Sequence, residues 1–318
     1  MHNLLITREL PETVMAAARA RFDVTVFPGD RALAPGEAAE ALARYDIILP
    51  TLGDGFGAAA FSKGSARCRL LANFGVGYNH IDVGAAQAAG VIVTNTPGAV
   101  TDATADIGVL LMLMAARRAG EGERMLRAGR WGGWSPTQLL GLHVSGKTLG
   151  IVGMGRIGKA IARRCHFGFG MRVVFFNRSA VPDPGMPAEQ LDSLAAVMRA
   201  ADIVVVAVPG GAGTRHLIDV KALAAMQPHG ILVNIARGDI VDEAALIAAL
   251  QAGQIGGAGL DVYEQEPTVP EALIAMENVA LLPHLGTAAL EVREAMGMMA
   301  LDNVIAVTEG RVPPNPVA

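Results

Sequence analysis

Three ionisable residues late in the chain, Arg237, Glu266 and His284, carry complementary chemistry. A guanidinium is a planar fork of donors that suits a carboxylate and an adjacent keto oxygen. A free imidazole titrates near pH 6.5, so it can hold or release a proton at working pH. A neighbouring carboxylate favours the protonated imidazole and selects its tautomer. Together the three can bind a carboxylate, keep an imidazole protonated and hand a proton to a carbonyl oxygen. Each follows a short apolar run: Ile231-Leu232-Val233-Asn234-Ile235, Ala258-Gly259-Leu260-Asp261-Val262 and Val279-Ala280-Leu281-Leu282-Pro283. Such runs read as buried strands of a parallel sheet, whose end-loops meet at one edge, where α/β ligand sites form. Taken singly, each residue has an ordinary reading as surface charge, salt-bridge partner or structural histidine. Their joint arrival at strand ends makes the signal. His2, His80, His143, His166, His216 and His229 lack that setting and read as surface or structural.

Upstream, Gly153-Met154-Gly155-Arg156-Ile157-Gly158 follows the strand pattern Thr148-Leu149-Gly150-Ile151-Val152 and opens a helical stretch over residues 159–164. Strand before and helix after is the context the dinucleotide fingerprint requires. Gly153 permits a tight turn, Gly155 lets backbone approach a pyrophosphate, and Gly158 lets the helix pack on the strand. The helix N-terminus adds free N–H groups and a favourable dipole. An NAD-selective site has Asp or Glu about 20 residues on, for the ribose 2′-hydroxyl. Here that place holds Asn177-Arg178-Ser179. No carboxylate repels a 2′-phosphate, and Arg178 with Ser179 can bind one through charge-assisted hydrogen bonds. The expected cofactor is NADP(H), with NAD(H) as second choice. A second glycine-rich segment, Asn73-Phe74-Gly75-Val76-Gly77-Tyr78-Asn79-His80, ends another strand pattern. Its backbone N–H groups suit an anion nest for a substrate carboxylate.

The elements that must position these groups are legible as alternation. Leu4-Leu5-Ile6, Val24-Thr25-Val26-Phe27, Ile47-Ile48-Leu49, Leu70-Leu71-Ala72-Asn73 and Val91-Ile92-Val93 read as strands, with helical patterns over residues 11–21 and 36–44 between them. Pro11 is expected at the first helical position. The alternation restarts at Lys147 and runs through strand patterns at 172–176, 203–208, 231–235, 257–260 and 279–282. Helical patterns cover 191–200, 242–251 and 288–309. This is the pattern of α/β architecture with parallel sheets covered on both faces. Between the two series, residues 127–136 form an irregular arm holding Trp131 and Trp134. The apolar stretch over 103–116 contains Asp106 and falls short of the roughly 20 residues a bilayer span needs. It fits a helix buried between two domains.

At 318 residues, 52% hydrophobic and 18% charged, the chain has ample core material for one large or two ordinary domains. Lys and Arg form no run and the net charge is -4, which argues against nucleic-acid binding. Cys68 and Cys165 stand far apart without a C-x-x-C, so no metal site or disulfide framework is expected. Two reduced cysteines and a short N-terminal apolar stretch point to the cytoplasm rather than to secretion or a membrane.

The chain resembles the D-isomer-specific 2-hydroxyacid dehydrogenases over almost its whole length. The likeness is carried by Phe74-Gly75-Val76-Gly77-Tyr78-Asn79-His80-Ile81-Asp82, Asn95-Thr96-Pro97-Gly98, residues 146–158, Asn234-Ile235-Ala236-Arg237-Gly238, Gly259-Leu260-Asp261-Val262-Tyr263, Glu266-Pro267 and Pro283-His284-Leu285-Gly286. By that resemblance Arg237, Glu266 and His284 take the catalytic positions, and Gly75, Val76 and Gly77 the substrate-carboxylate loop. Thr104, Arg156, Ile157, Val208, Pro209, Thr214, Asp261 and Gly286 match positions that touch the cofactor; with Gly153, Gly155, Gly158, Asn177, Arg178, Ser179, Ile235 and Ala236 they make up the expected cofactor-binding residues. The resemblance also implies two Rossmann-like, doubly wound parallel-sheet domains with a cleft between them. Residues 1–99 plus 286–318 would form the substrate domain and 100–285 the dinucleotide-binding domain. A homodimer clasped through residues 118–142 is implied as well. Within the family, Trp134-Ser135-Pro136-Thr137-Gln138-Leu139-Leu140-Gly141 and Asn177-Arg178-Ser179 resemble the glyoxylate/hydroxypyruvate reductases. The expected reaction is hydride transfer from NADPH to C2 of a small 2-keto acid, with His284 as general acid/base. Alternatives are a dehydrogenase of another D-2-hydroxy acid, or a non-catalytic NAD(P)-sensing protein. One departure is Pro209-Gly210-Gly211-Ala212-Gly213-Thr214, where the family carries bulkier residues. Glycines there loosen the loop and weaken the expected contact from Thr214.

Overall fold

The computed structural model describes residues 1–62 and 66–317. The chain divides into two compact units, Met1–Val100 with Thr287–Ala318, and Thr101–Gly286. The first contains β1 (Asn3–Ile6), α1 (Glu12–Arg19), β2 (Asp23–Val26), α2 (Pro35–Arg44), β3 (Ile47–Leu49), α3 (Ala58–Phe61), β4 (Leu70–Ala72), α4 (Val83–Ala88), β5 (Ile92–Thr94) and a final helix, Leu290–Thr308. Among the described residues its sheet runs β2-β1-β3-β4-β5, with every pairing parallel. Gly297 of the final helix sits so close to Val14 of α1 that a Cβ there would approach the valine to 2.6 Å. Pro11 stands at the N-cap of α1, one place before the expected first helical position. With no N–H of its own, it loses nothing at either place.

The second unit contains α5 (Thr101–Ala116), α6 (Ala119–Arg127), β6 (Thr148–Val152), α7 (Arg156–Phe169), β7 (Arg172–Phe176), β8 (Glu189–Gln190), α8 (Leu194–Ala200), β9 (Ile203–Val206), α9 (Val220–Ala224), β10 (Ile231–Asn234), α10 (Glu243–Gln251), β11 (Gly257–Leu260), α11 (Glu271–Ile274) and β12 (Val279–Leu281). The final helix is therefore α12. The described sheet runs β12-β11-β10-β9-β6-β7-β8 and is parallel throughout. Its inner strands read as apolar runs because both faces are covered; β9, β10 and β11 are buried at every position. Strand order reverses between β6 and β9, which makes their C-terminal ends the switch point where α/β sheets bind ligands.

The apolar stretch expected to be buried is α5, which packs on β10, β11, β12 and α7. Gly259 makes that packing possible, since a Cβ there would lie 3.0 Å from the Leu111 carbonyl oxygen. Among the described residues no helix is long and apolar enough to cross a membrane. The helix read from residue 159 begins three positions earlier, at Arg156, and ends at Phe169 before a left-handed Gly170. A glycine there is the usual stop for a helix. Trp131 and Trp134 lie in irregular chain and are exposed.

Candidate active site

Arg237, Glu266 and His284 all belong to the second unit. They follow β10, β11 and β12, three neighbouring strands whose register pairs Asn234 with Leu260 and Leu260 with Leu281. The strand ends are therefore level, and the three loops leave one edge. His284 Nδ1 donates to Oε2 of Glu266 at 2.9 Å, and the Tyr263 N–H donates to Oε1 of the same carboxylate at 3.1 Å. With Nδ1 occupied, Nε2 is the ring nitrogen left for proton exchange. Burial pushes the Glu266 carboxyl up, but the hydrogen bond and charge of His284, the Tyr263 N–H and the Arg237 charge together bring it below its ordinary range. It therefore stays ionised opposite the imidazole.

Arg237 is half-buried, and its Nη1 donates to the Ala236 carbonyl at 2.6 Å. Burial draws the guanidinium below its usual range, against the opposing charges of Glu266 and Asp239. A guanidinium starts so high that it remains charged. Asn234 at the end of β10 organises the turn, donating from Nδ2 to the Arg237 carbonyl and accepting at Oδ1 from Ala236 N–H. Gly238 is the contact point between two of the three loops. A Cβ on it would fall 1.9 Å from the Tyr263 carbonyl carbon.

His284 itself adopts φ +54°, in the left-handed region that non-glycine residues seldom occupy. Such a conformation costs about 1–3 kcal/mol and persists only where surrounding contacts over-determine it. Those contacts come from Asp261, buried just past β11. Its carbonyl accepts the His284 N–H at 2.9 Å. Its carboxylate accepts from Leu285 N–H at 2.6 Å and Gly286 N–H at 2.8 Å. Burial raises the Asp261 carboxyl, partly offset by the Leu285 N–H, the His284 charge and the Gly286 N–H. From α5, the Thr104 hydroxyl donates to the Gly286 carbonyl at 3.1 Å. Thr104, Asp261 and Gly286, singled out in the sequence as cofactor contacts, hold the histidine loop in the structure. The sequence signal for that task is weak, because nothing in spacing tells which loop a buried carboxylate will bond.

At the switch point the three fingerprint glycines separate by role. A Cβ on Gly153, at φ +100°, would meet Val208 at 2.7 Å and the Ala207 carbonyl oxygen at 2.8 Å. One on Gly158 would strike the Gly153 carbonyl oxygen at 2.2 Å. Neither packing nor backbone demands glycine at 155, where a Cβ would meet nothing within 4 Å. Gly155 is exposed at the N-cap of α7, beside Arg156 and Ile157 in the first turn. Open space before a helix N-terminus is what an approaching pyrophosphate needs, so these residues fit a dinucleotide. Past β7, Asn177 Nδ2 donates to the Ser179 carbonyl at 3.1 Å and its Oγ at 3.3 Å, while Arg178 is exposed. Val208 and Pro209 lie beyond β9, and Ile235 and Ala236, both buried, beyond β10. The Thr214 hydroxyl points back into its own loop, toward the Pro209 carbonyl at 2.8 Å and the Gly211 carbonyl at 3.1 Å.

In the first unit, Gly75, Val76 and Gly77 follow β4 as a tight turn. The Gly75 N–H is used internally, donating to the Asn73 carbonyl at 3.0 Å. The Val76 and Gly77 N–H groups have no partner among the described residues. His216, read as surface or structural, lies 2.9 Å by Nε2 from Oε1 of Glu264, two residues before Glu266. Among the described residues no cluster could hold a metal ion.

Residues 109–286 match the D-isomer specific 2-hydroxyacid dehydrogenase, NAD binding domain. The chain belongs to the D-isomer-specific 2-hydroxyacid dehydrogenase family and is a nicotinamide-dependent oxidoreductase. It is 42% identical over 316 residues to a glyoxylate reductase of Thermococcus kodakarensis, covering 98% of this chain and 94% of that protein. A glycerate dehydrogenase of Hyphomicrobium methylovorum is 36% identical, with 96% of each chain covered. Among solved structures, the NADPH-dependent glyoxylate/hydroxypyruvate reductase of Sinorhizobium meliloti, in complex with NADP and malonate, superposes with TM-score 0.88. It has 36% identity over 100% of this chain and 97% of that one.

Proposed function

We propose that this enzyme reduces glyoxylate and hydroxypyruvate to their 2-hydroxy acids with NADPH. The observation that carries the reading is the His284–Glu266 hydrogen bond at the strand ends, on the same sheet edge as a glycine-rich dinucleotide loop. The relatives named above act, by name, on glyoxylate, hydroxypyruvate and glycerate. A reduced nicotinamide cofactor held at Gly153, Gly155, Arg156 and Ile157 would supply the hydride for C2 of the keto acid. Nε2–H of His284 gives its proton to the keto oxygen as negative charge develops there. Ionised Glu266 keeps the imidazole oriented and stabilises it while protonated. Arg237 offers its fork to the carboxylate and keto oxygen. Val76 and Gly77 offer backbone N–H groups to the carboxylate. In the reverse direction neutral His284 takes the hydroxyl proton.

The preference for NADPH rests on Asn177-Arg178-Ser179, where a cation and a hydroxyl stand in place of a carboxylate. The same reading takes the enzyme to work as a cytoplasmic homodimer. In support, residues 118–142 expose Trp134 at 82% and Leu140 at 66%, large apolar side chains of the kind a subunit interface covers.

The test is purified protein with glyoxylate, hydroxypyruvate and pyruvate, followed at the nicotinamide absorbance with both cofactors. Turnover on the first two is expected, with a KM for NADPH about tenfold or more below that for NADH. Tight cofactor binding without turnover on any short 2-keto acid would favour a sensor. Equal use of NADH would overturn the NADPH assignment.

A further inference from the structure

We propose that Asn73 and Asn95 are positioning residues that set the Gly75-Val76-Gly77 backbone as a carboxylate receptor. The inference rests on the reading that this loop takes the substrate carboxylate. The two asparagines are the residues that immediately follow β4 and β5, whose register pairs Ala72 with Thr94. They therefore leave the sheet side by side. The Asn73 N–H also donates to the Thr94 carbonyl at 3.0 Å, extending the pairing by one step.

Every carbonyl of the receptor turn is held from this side. Asn73 Nδ2 donates to the Gly75 carbonyl at 3.0 Å and to the Gly77 carbonyl at 3.1 Å. Asn95 Nδ2 donates to the Val76 carbonyl at 2.9 Å. The Thr96 N–H adds a bond to the Gly75 carbonyl at 3.1 Å. Because a trans peptide is planar, its C=O and the following N–H point in opposite directions. Holding the Gly75 and Val76 carbonyls thus turns the Val76 and Gly77 N–H groups the other way. Those are the two that have no partner among the described residues. Two side-chain amides thereby convert a flexible glycine turn into a fixed pair of donors. A pre-set pair binds without the entropy cost of ordering the loop at each turnover.

The chemistry is specific to an amide. Asn73 is buried, and its Oδ1 has no hydrogen-bond partner among the described residues, so the side chain acts as a double donor. An aspartate of the same shape would set a carboxylate against two carbonyl oxygens and break the arrangement.

The experiment uses the whole enzyme. Asn95→Ala, at a half-buried position, should raise the KM for glyoxylate about tenfold, with the KM for NADPH within about twofold. Asn73→Asp should do the same or more, and Asn95→Ala carries the test if it fails to fold. An unchanged glyoxylate KM in Asn95→Ala overturns the proposal. A second readout does not need turnover: amide NMR during titration with oxalate. The Val76 and Gly77 signals should move in the unaltered enzyme, and Asn95→Ala should need about tenfold more oxalate. If the unaltered enzyme turns over no keto acid, the functional reading fails, while the oxalate titration still decides this one. No movement of those two signals in the unaltered enzyme, or equal oxalate affinity in the variant, rejects the asparagines' role.

Discussion

At the scale of single residues, His284 sits where three demands meet. Its backbone is left-handed, its Nδ1 is bonded to Glu266, and its loop is held by Asp261 and Thr104. General acid catalysis is worth roughly 10²–10⁴-fold. His284→Ala should therefore lose that factor in kcat while the Kd for NADPH, measured by fluorescence, changes little. Near-normal turnover would mean the proton comes from elsewhere. Glu266 supports a prediction about pH and stability. Its folded-state pKa lies below the ordinary value, so its ionised form favours folding. That contribution is complete above the unfolded carboxyl value, about pH 4.3, and disappears as pH falls through the depressed folded value. Glu266→Gln should thus be less stable than the unaltered enzyme in urea at pH 7, with the gap narrowing steadily below about pH 4. A gap independent of pH would show that the charge contributes nothing to the fold.

At the scale of elements, the site depends on loops that touch as backbone. Gly238, after β10, lies against Tyr263, after β11, with no room for a methyl group. Gly238→Ala forces backbone against backbone, and overpacking of that kind costs about 1–3 kcal/mol or more. The expected outcome is a lower Tm together with a loss of turnover greater than the loss of NADPH affinity. The fingerprint glycines sit in a different part of the edge and do not share this contact. An alanine variant with unchanged Tm and kcat would mean that the β10 and β11 loops can separate without harm. The helices serve the same edge indirectly: α5 lies across β10, β11 and β12 and delivers Thr104 to Gly286.

At the scale of the whole molecule, the chain builds two parallel sheets and returns to the first unit after Gly286. Each unit carries one cysteine inside a hydrophobic cluster, Cys68 with β1, β3 and β4 side chains and Cys165 with α5 and β6 side chains. Burial pushes both thiols up to about 12. Thiols held protonated and away from solvent react poorly. Native enzyme should give almost no reaction with a thiol reagent over minutes, and two equivalents once unfolded in urea. Rapid labelling of the native protein would place one of these clusters in frequent local opening.

Strand-by-strand alternation, the fingerprint glycines and the ionisable residues after β10, β11 and β12 were legible in the chain. Parallel strands buried on both faces leave continuous apolar runs, and function collects just past their ends. Short helices such as α4 and α9, and the two-residue β8, left no comparable pattern, because too few positions repeat to show a period. What the sequence alone determined was the type of chemistry and the edge on which it stands. Only tertiary structure decided which donors serve which acceptors. Asp261 holds the His284 loop, Gly75 spends its N–H on Asn73, and Asn73 and Asn95 hold the carbonyls of the Gly75-Val76-Gly77 turn. Hydrogen bonds are chosen by distance and angle between groups far apart in the chain, and residue order carries that information only after folding has brought them together.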